Sequence, residues 1–208
     1  GQAQDDRGIL QAIFVETGGT DWKRSGGWLD DSTNTNGNSG NTNYCEWYGV
    51  TCWETDDETD GRVKEIHLPN NGLRGTVPET MFNMEHLTTV NLSRNQIILP
   101  FTRMFASPHI RSLNIASTLT SNFDGIDQAN EFFAYLYADH LPIDGFLPTE
   151  IMDIRTLQVF SMADSGLIGE IDQRIGQMEA LQELYLFGNE LRGAIPGSIR
   201  YLTDLRIV

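Results

Sequence analysis

Basic residues are scarce in this chain, and their scarcity excludes one class of partner. The 208 residues include 14 lysines and arginines against 29 aspartates and glutamates, so the formal net charge is −15. A surface this acidic repels the phosphates of a nucleic acid and the headgroups of an anionic membrane. We therefore expect no nucleic-acid partner.

Long apolar runs are also missing. No stretch approaches the roughly 20 consecutive apolar residues that a transmembrane helix needs, so we expect no direct membrane insertion of this segment. No secretory signal is recognisable, and the opening Gly-Gln-Ala-Gln-Asp-Asp is typical of a processed or engineered start.

Cysteine occurs only twice, at Cys45 and Cys52, with six residues between them. A metal site would need more ligands, and no histidine is close in sequence. The remaining alternatives are two free thiols and a disulfide that closes a short loop. The disulfide is favoured, and it would place the protein outside the cytosol, secreted or at the cell surface.

Two polar segments are predicted to lie on the surface. Residues 32–43 contain no apolar side chain and predict a flexible surface loop. Residues 54–61 contain five carboxylates, which suit calcium, but they lack the ligand order of an EF-hand loop, so a solvated turn is favoured. We therefore expect no metal and no cofactor.

The sequon Asn91-Leu92-Ser93 predicts glycosylation of Asn91, with chance occurrence as the alternative.

The most informative feature that is present is a motif that recurs about every 24 residues. Its clearest copy consists of Leu181, Leu184, Leu186, Asn189, Leu191, Gly193, Ile195 and Pro196. Self-similarity at this period predicts a solenoid of stacked units. We divide the chain into a cap at 1–62 and repeats at 63–208. The six repeats are 63–86, 87–109, 110–132, 133–156, 157–180 and 181–204, and a seventh starts with Leu205 and Val208.

The repeated motif resembles that of plant-type leucine-rich repeats, LxxLxLxxNxLxGxIPxxLxxLxx. The stretch from Tyr44 to Cys52 resembles the Cys-x-Trp-x-Gly-Val-x-Cys end of the N-terminal cap in that family, and Gly18 to Trp22 looks like algal or protist variants of the cap. The resemblance implies an α/β solenoid: a right-handed superhelix with a parallel concave β-sheet and a helical N-terminal cap. Members include receptor ectodomains and polygalacturonase-inhibiting proteins, so the resemblance implies binding.

The cap is predicted to begin with a helix and to cover one end of the core. Asp5 or Asp6 can cap this helix, whose apolar face consists of Ile9, Leu10, Ile13 and Phe14. All four tryptophans follow within 32 residues, at Trp22, Trp28, Trp47 and Trp53. We interpret them as a hydrophobic cover in preference to a ligand-binding aromatic box.

The strand register determines which side chains face outward from the sheet. Alternation around Leu184 and Leu186 places three outward positions in each repeat. Asparagines just after the strands predict a ladder of side-chain bonds to the backbone, which Leu141 interrupts. The candidate ligand-binding residues are aromatic and acidic in the later repeats and polar in the earlier ones: Tyr135, Tyr137, Asp139, Tyr185, Phe187, His67, Asn91 and Asn114. Exposed aromatic side chains favour recognition; the alternative is that the rings only pack on one another.

Catalysis is not expected. His67 and His140 would lie three turns apart, roughly 14 Å, too far to share a reacting atom. No nucleophile, base and orienting carboxylate fall on adjacent strand positions, so the chain is not predicted to be an enzyme.

The favoured function is an extracellular recognition module that binds a protein, peptide or polysaccharide on its concave face, as a receptor ectodomain fragment or a secreted enzyme inhibitor. The alternative is a structural or adhesive matrix protein that self-associates through an uncapped C-terminal end. Ice binding, known in some members, is disfavoured because aromatic residues break the polar face.

Overall fold

The computed structural model describes residues 6–29, 43–57 and 59–206. Asp5, Val208 and residues 32–42 of the predicted polar loop lie outside these ranges.

A seven-stranded sheet runs through all the repeats. The strands are β1 (Val50–Cys52), β2 (Val63–His67), β4 (Thr89–Asn91), β6 (Ser112–Asn114), β7 (Tyr135–Tyr137), β8 (Val159–Ser161) and β10 (Glu183–Tyr185). From β2 to β10, each strand pairs in parallel with the strand of the next repeat, while β1 pairs antiparallel with β2. The α/β solenoid with a parallel sheet and a helical N-terminal cap is therefore confirmed.

The repeated motif places an apolar residue at the same buried position of every parallel strand. One residue from each parallel strand pairs with its equivalent in the next repeat, and all six side chains are at most 1% exposed: Ile66, Val90, Leu113, Leu136, Phe160 and Leu184. Since side chains alternate along a strand, the residues on either side of this row point the other way.

The remainder of each repeat is short and irregular. Small parallel pairs join β3 (Arg74–Thr76) to β5 (Gln96–Ile98) and β9 (Ile168–Gly169) to β11 (Glu190–Leu191). A short 3₁₀ helix follows the sheet strand of each repeat. They span Glu79–Asn83, Met104–Ala106, Ile126–Gln128, Thr149–Asp153, Gln173–Gln177 and Gly197–Tyr201.

The cap is joined to the first repeat by a buried carboxylate. Helix α1 (Asp6–Glu16) packs Ile9, Leu10 and Ile13 into the core. Asp6 is 2% exposed and accepts bonds from Arg62 Nε at 2.9 Å, from Arg62 Nη2 at 3.0 Å and from the backbone N–H of Val63 at 3.0 Å. This pair raises the pKa of Arg62. Two further 3₁₀ turns, Gly19–Asp21 and Tyr44–Glu46, complete the cap.

The tryptophan cluster explains how the cap closes the core. Trp28 contacts Trp22 edge-on at 4.9 Å and Trp47 at 5.1 Å between ring centroids, and Phe14 stacks on Trp28. These rings are buried, as a hydrophobic cover requires. Trp53 departs from the prediction because it is partly exposed at the edge of the sheet. A disulfide joins Cys45 to Cys52 beside the cluster.

An asparagine ladder supports the turns after the strands. Asn95 Oδ1 accepts from the backbone N–H groups of Asn71 and Leu73, and its Nδ2 donates to the carbonyls of Leu68, Leu92 and Ser93. Asn189 bonds in the same way to the repeat before it. At Leu141 the ladder is interrupted, and the Leu141 N–H donates to Ser165 Oγ at 3.2 Å.

Within the described ranges, no helix combines the length and the apolar character required to cross a bilayer.

Candidate functional site

The outward face of the parallel sheet carries three rows of side chains. The strand pairing aligns the first row as Glu65, Thr89, Ser112, Tyr135, Val159 and Glu183. It aligns the middle row as His67, Asn91, Asn114, Tyr137, Ser161 and Tyr185. The sequence places Pro69, Ser93, Ala116, Asp139, Ala163 and Phe187 two residues further along each repeat.

Aromatic side chains dominate the later repeats. Tyr137 and Tyr185 flank Ser161 in the middle row, and Tyr185 meets Phe187 edge-on at 6.5 Å between ring centroids. The Tyr135 hydroxyl donates to Gln158 Oε1 at 3.1 Å, and Arg111 lies over the Tyr135 ring. The rings thus contact neighbours and remain only partly covered.

Glu183 influences two of these phenols. The Tyr185 hydroxyl donates to Glu183 Oε2 at 3.0 Å, and this bond is the main reason that the pKa of Tyr185 is raised above 10.0. The pKa of Tyr137 is also raised, first by burial and then by the charge of Glu183. Both phenols stay neutral at physiological pH; the Tyr185 proton is engaged by Glu183, and its oxygen remains an acceptor.

One repeat does not present the outward residues that the register predicted. Val159, Ser161 and Ala163 are only 8%, 5% and 2% exposed. Their side chains are small and lie between the aromatic side chains of β7 and β10, so the larger neighbours cover them. Ser161 Oγ also donates to Asp139 Oδ1, which accepts the backbone N–H of Ala163 as well. This repeat therefore forms a covered floor between the aromatic side chains of β7 and β10.

A groove of about 530 Å³ lies along the edge where the strands end. It includes the predicted Asn114, Asp139 and Phe187. It also includes Arg94 and His140, which the prediction missed. Together these residues give the groove an acidic and a basic side chain and two exposed rings, those of His140 and Phe187.

A backbone feature brings the missed residues to the groove. In the first five repeats, the residue just before the ladder position is not glycine and still adopts the left-handed conformation, with φ between 50° and 58°: Asn70, Arg94, Ser117, His140 and Asp164. In the sixth repeat this position is Gly188, with φ 70°. Such a conformation is uncommon outside glycine. His140 Nδ1 lies 3.9 Å from Asp164 Oδ2 across two of these turns. The regular spacing of these positions was the available signal.

The predicted ligand-binding residues are therefore not gathered in one place but lie in three parts of the sheet and its edge. Asn114, Asp139 and Phe187 line the groove, while Tyr135, Tyr137 and Tyr185 lie on the adjacent sheet face. His67 and Asn91 lie on β2 and β4 near the cap. Asn91 Oδ1 accepts from the N–H and hydroxyl of Ser93 within its own sequon.

A second cavity, of about 460 Å³, lies at the opposite edge of the sheet, where the strands begin. Four ring-bearing residues line it: Trp53, His86, His109 and Phe132. The sequence analysis assigns no role to His86 or His109. They occupy equivalent positions in successive repeats, three residues before each strand begins.

Thr55, Asp57 and Thr59 of the acidic segment line one side of this second cavity. Asp57 Oδ1 accepts from the side chain and backbone of Thr59 and from the Thr55 hydroxyl, and these bonds lower the pKa of Asp57. Glu58 lies outside the described residues. Across the rest of the described chain, no three His, Cys, Asp or Glu side chains are grouped to hold a metal ion.

A third cavity, of about 290 Å³, is apolar and lies at the C-terminal end of the solenoid. Ile175, Leu184, Ile195 and Ile199 are among the residues that line it. Ile195 is 67% exposed.

Comparison with known proteins identifies similar sequences. A leucine-rich repeat family model matches residues 180–202. Phytosulfokine receptor 1 of Arabidopsis thaliana is 27% identical over 187 residues, which cover 88% of this chain and 17% of that protein. Receptor-like protein 41 of the same plant is 25% identical over 144 residues, covering 65% of this chain and 16% of that protein. The chain thus spans about one sixth of the length of these relatives.

Solved structures share the fold. The Arabidopsis receptor kinase HAESA, in complex with the peptide hormone IDA and the co-receptor SERK1, gives a TM-score of 0.83 at 21% identity over 99% of this chain and 33% of that one. The PEPR1–AtPEP1 complex gives 0.75 at 24% identity over 98% and 27% of the two chains. A plant ice-binding protein gives 0.70 at 19% identity over 94% and 59%. With its repeats, its cap and these matches, the chain is similar to leucine-rich repeat proteins, and in sequence it resembles plant receptor-like proteins and receptor kinases.

Proposed function

We propose that the chain is an extracellular recognition module that binds an extended peptide segment across the concave sheet. The observation that carries this proposal is the juxtaposition of Tyr137, Tyr185 and Phe187 with the polar groove that contains Asp139 and Arg94. Aromatic rings supply contact area at low entropic cost, and the groove supplies charged and polar partners for a peptide backbone and its side chains.

Similar proteins support a peptide as the ligand. Phytosulfokine receptor 1 is similar in sequence. Among the structures that are similar in fold, HAESA is in complex with the peptide hormone IDA, and RGFR1 is a plant peptide hormone receptor in complex with RGF2. The disulfide between Cys45 and Cys52 supports an extracellular location, secreted or at a cell surface. No catalytic activity is proposed.

Selection of peptides from a random displayed library against the purified chain tests this function. We expect the selected peptides to lose affinity by about tenfold or more when Tyr137 or Tyr185 is replaced by alanine, the scale of an interface hot spot. Tyr201→Ala is the matched control, since Tyr201 is 59% exposed and lies beyond the sheet. Equal affinity of the Tyr137→Ala and Tyr185→Ala variants would contradict the proposed site.

A glycan array screened in parallel distinguishes the class of ligand. If a polysaccharide binds and its affinity falls in the same two tyrosine variants, the ligand of the concave face is a polysaccharide and the peptide proposal is wrong. The Asn91 sequon bears on both screens, because a glycan there would lie on the middle row beside Asn114. Mass spectrometry after enzymatic deglycosylation establishes whether Asn91 is modified.

The apolar C-terminal cavity favours one alternative function, self-association in a structural or adhesive protein. Ile195 and the partly buried Leu191 and Ile199 provide an apolar contact surface. Light scattering over a range of concentrations is expected to show a mass that rises with concentration, and Ile195→Lys should abolish the rise. A strict monomer at all concentrations excludes this alternative.

A further inference from the structure

The cavity where the strands begin is built from two separate parts of the chain. One wall consists of Thr55, Asp57 and Thr59, which follow β1. Next to them, Trp53 N donates to Arg62 O and Gly61 N donates to Trp53 O, both at 2.9 Å. The other wall is the edge of the first three repeats. Its volume of about 460 Å³ lies within the range of small-molecule sites.

Rings at equivalent positions of successive repeats form an aromatic wall. His86 stacks on His109 at 6.0 Å between ring centroids, and His109 stacks on Phe132 at 6.1 Å. The Trp53 indole N–H donates to the His86 carbonyl at 3.0 Å, which fixes the fourth ring in place. Phe132 remains 49% exposed. A ligand with a flat apolar face would cover this wall.

The polar groups of the cavity are mainly acceptors. The Thr88 hydroxyl donates its proton to Lys64 O at 3.0 Å, so its lone pairs remain for a ligand. His109 Nδ1 lies 2.7 Å from Glu85 O; because a carbonyl oxygen only accepts, Nδ1 carries the proton and Nε2 of the neutral ring is an acceptor.

Asp57 adds a carboxylate to these acceptors. Its three bonds from Thr55 and Thr59 all end on Oδ1 and hold the side chain in position, while Oδ2 takes part in none of them. Arg111, on the opposite wall, supplies donors and balances the charge of Asp57. The cavity therefore suits an uncharged ligand that brings several hydroxyl protons and one or more apolar faces.

The cavity continues along the same edge. An adjoining cavity of about 250 Å³ shares Arg111 and Phe132 and adds the hydroxyl of Thr156 and the amide of Gln158. A ligand that follows this edge is longer than one ring and meets polar groups again in the next repeat.

We propose that this edge binds a neutral oligosaccharide, whose pyranose rings pack on Trp53 and Phe132 and whose hydroxyls donate to Asp57 and Thr88. A pyranose has the required combination, since its C–H faces are apolar and its rim carries hydroxyls. A purely aromatic ligand would leave the acceptors unpaired, and an anionic sugar would meet the carboxylate of Asp57. The site is distinct from the concave groove and does not depend on its ligand.

Tryptophan fluorescence tests the proposal with defined probes. Trp22, Trp28 and Trp47 are 6%, 3% and 2% exposed, so a ligand-dependent change in emission reports on Trp53. The intact chain is titrated with cellotetraose, laminaritetraose, mannotetraose and xylotetraose, and with tetragalacturonate as the charged comparison. At least one neutral tetrasaccharide is expected to give a saturable change, with tetragalacturonate at least about tenfold weaker.

Variants localise the binding. Phe132→Ala should weaken the neutral probe by about three- to tenfold, the range for loss of one aromatic contact. Asp57→Asn should weaken it as well, because the amide nitrogen replaces one acceptor. Phe146→Ala is the matched control, since Phe146 is 73% exposed and lies outside both cavities.

Four results would overturn the proposal: no response to any neutral tetrasaccharide, a response to tetragalacturonate alone, unchanged affinity in Phe132→Ala, or an equal loss in Phe146→Ala. The Tyr137→Ala variant separates this proposal from the peptide site, because it should leave the tetrasaccharide affinity unchanged. A neutral probe that loses affinity in Tyr137→Ala and not in Phe132→Ala binds the concave face, which also contradicts the proposal.

Discussion

At the scale of single residues, Glu183 contributes to the raised pKa values of two tyrosines, Tyr185 and Tyr137, on the outward face of the sheet. It accepts the Tyr185 hydroxyl, and its charge acts on Tyr137 two strands away. Because the raised pKa values favour the neutral phenols in the folded state, their contribution to stability is present below about pH 10 and is lost as the pH rises through the raised values.

Replacing Glu183 by glutamine tests this coupling. The amide can still accept the Tyr185 hydroxyl but carries no charge, so the pKa values of Tyr185 and Tyr137 should both fall toward 10.0. NMR titration of ring-labelled tyrosine measures both values. Glu179→Gln serves as the control, because Glu179 is exposed and pairs with Arg155 on another surface. Unchanged values in Glu183→Gln would show that burial alone raises them.

At the scale of elements, the ladder and the disulfide hold segments that have little regular structure. Asn95 is 4% exposed and makes five bonds to backbone groups of its own turn and the preceding one. In the third and fifth repeats the equivalent positions are Thr118 and Ser165, whose hydroxyls make fewer bonds. The ladder is therefore strongest near the cap and at Asn189.

Asn95→Ala should lower the free energy of unfolding by about 2–4 kcal/mol, because buried backbone groups lose their partners. Hydrogen exchange should accelerate most at the amides of Asn71 and Leu73, which lose a direct acceptor. Denaturant unfolding of Asn83→Ala provides the control, since Asn83 makes one exposed bond to Arg103. A loss in Asn95→Ala no larger than in this control would mean that water replaces the ladder bonds.

Removing the disulfide loosens the cap. Replacement of Cys45 and Cys52 by serine should cost about 2–3 kcal/mol, the scale for releasing a short closed loop. The loss should be visible as earlier exposure of the Trp28 cluster in a denaturant titration followed by fluorescence. An unchanged unfolding midpoint would indicate that the tryptophan cluster alone closes the cap.

The sequence predicted those elements whose signal is local and repeated. The inward row from Ile66 to Leu184 follows from the motif, because each repeat buries the same position. The bond between Asp6 and Arg62 joins residues 56 positions apart, and no local pattern indicates it. The burial of Ser161 depends on side chains one strand away, and His86 occupies a position that the motif leaves variable.

At the scale of the whole molecule, the two binding edges differ in charge and chemistry. The concave face and groove contain Asp139, Asp164 and Glu183 against Arg94 and the titratable His140, within a chain of net charge −15. The strand-start edge carries the carboxylate of Asp57 and the guanidinium of Arg111 on opposite walls of its cavity. Long-range attraction of a basic ligand therefore belongs to the concave face, while the other edge selects ligands by shape and hydroxyl groups.

This difference predicts how salt affects the two ligands. Peptides selected on the concave face should be rich in lysine and arginine, and raising NaCl from about 0.05 M to about 0.5 M should slow their association about tenfold, since the Debye length shortens. Their dissociation should change little, because the ring contacts of Tyr137 and Tyr185 are short-range. Tetrasaccharide affinity, measured in the same buffers, is the internal control and should stay constant. Peptide association that is independent of salt would show that the acidic surface does not guide the ligand, and it would leave the aromatic contacts as the basis of recognition.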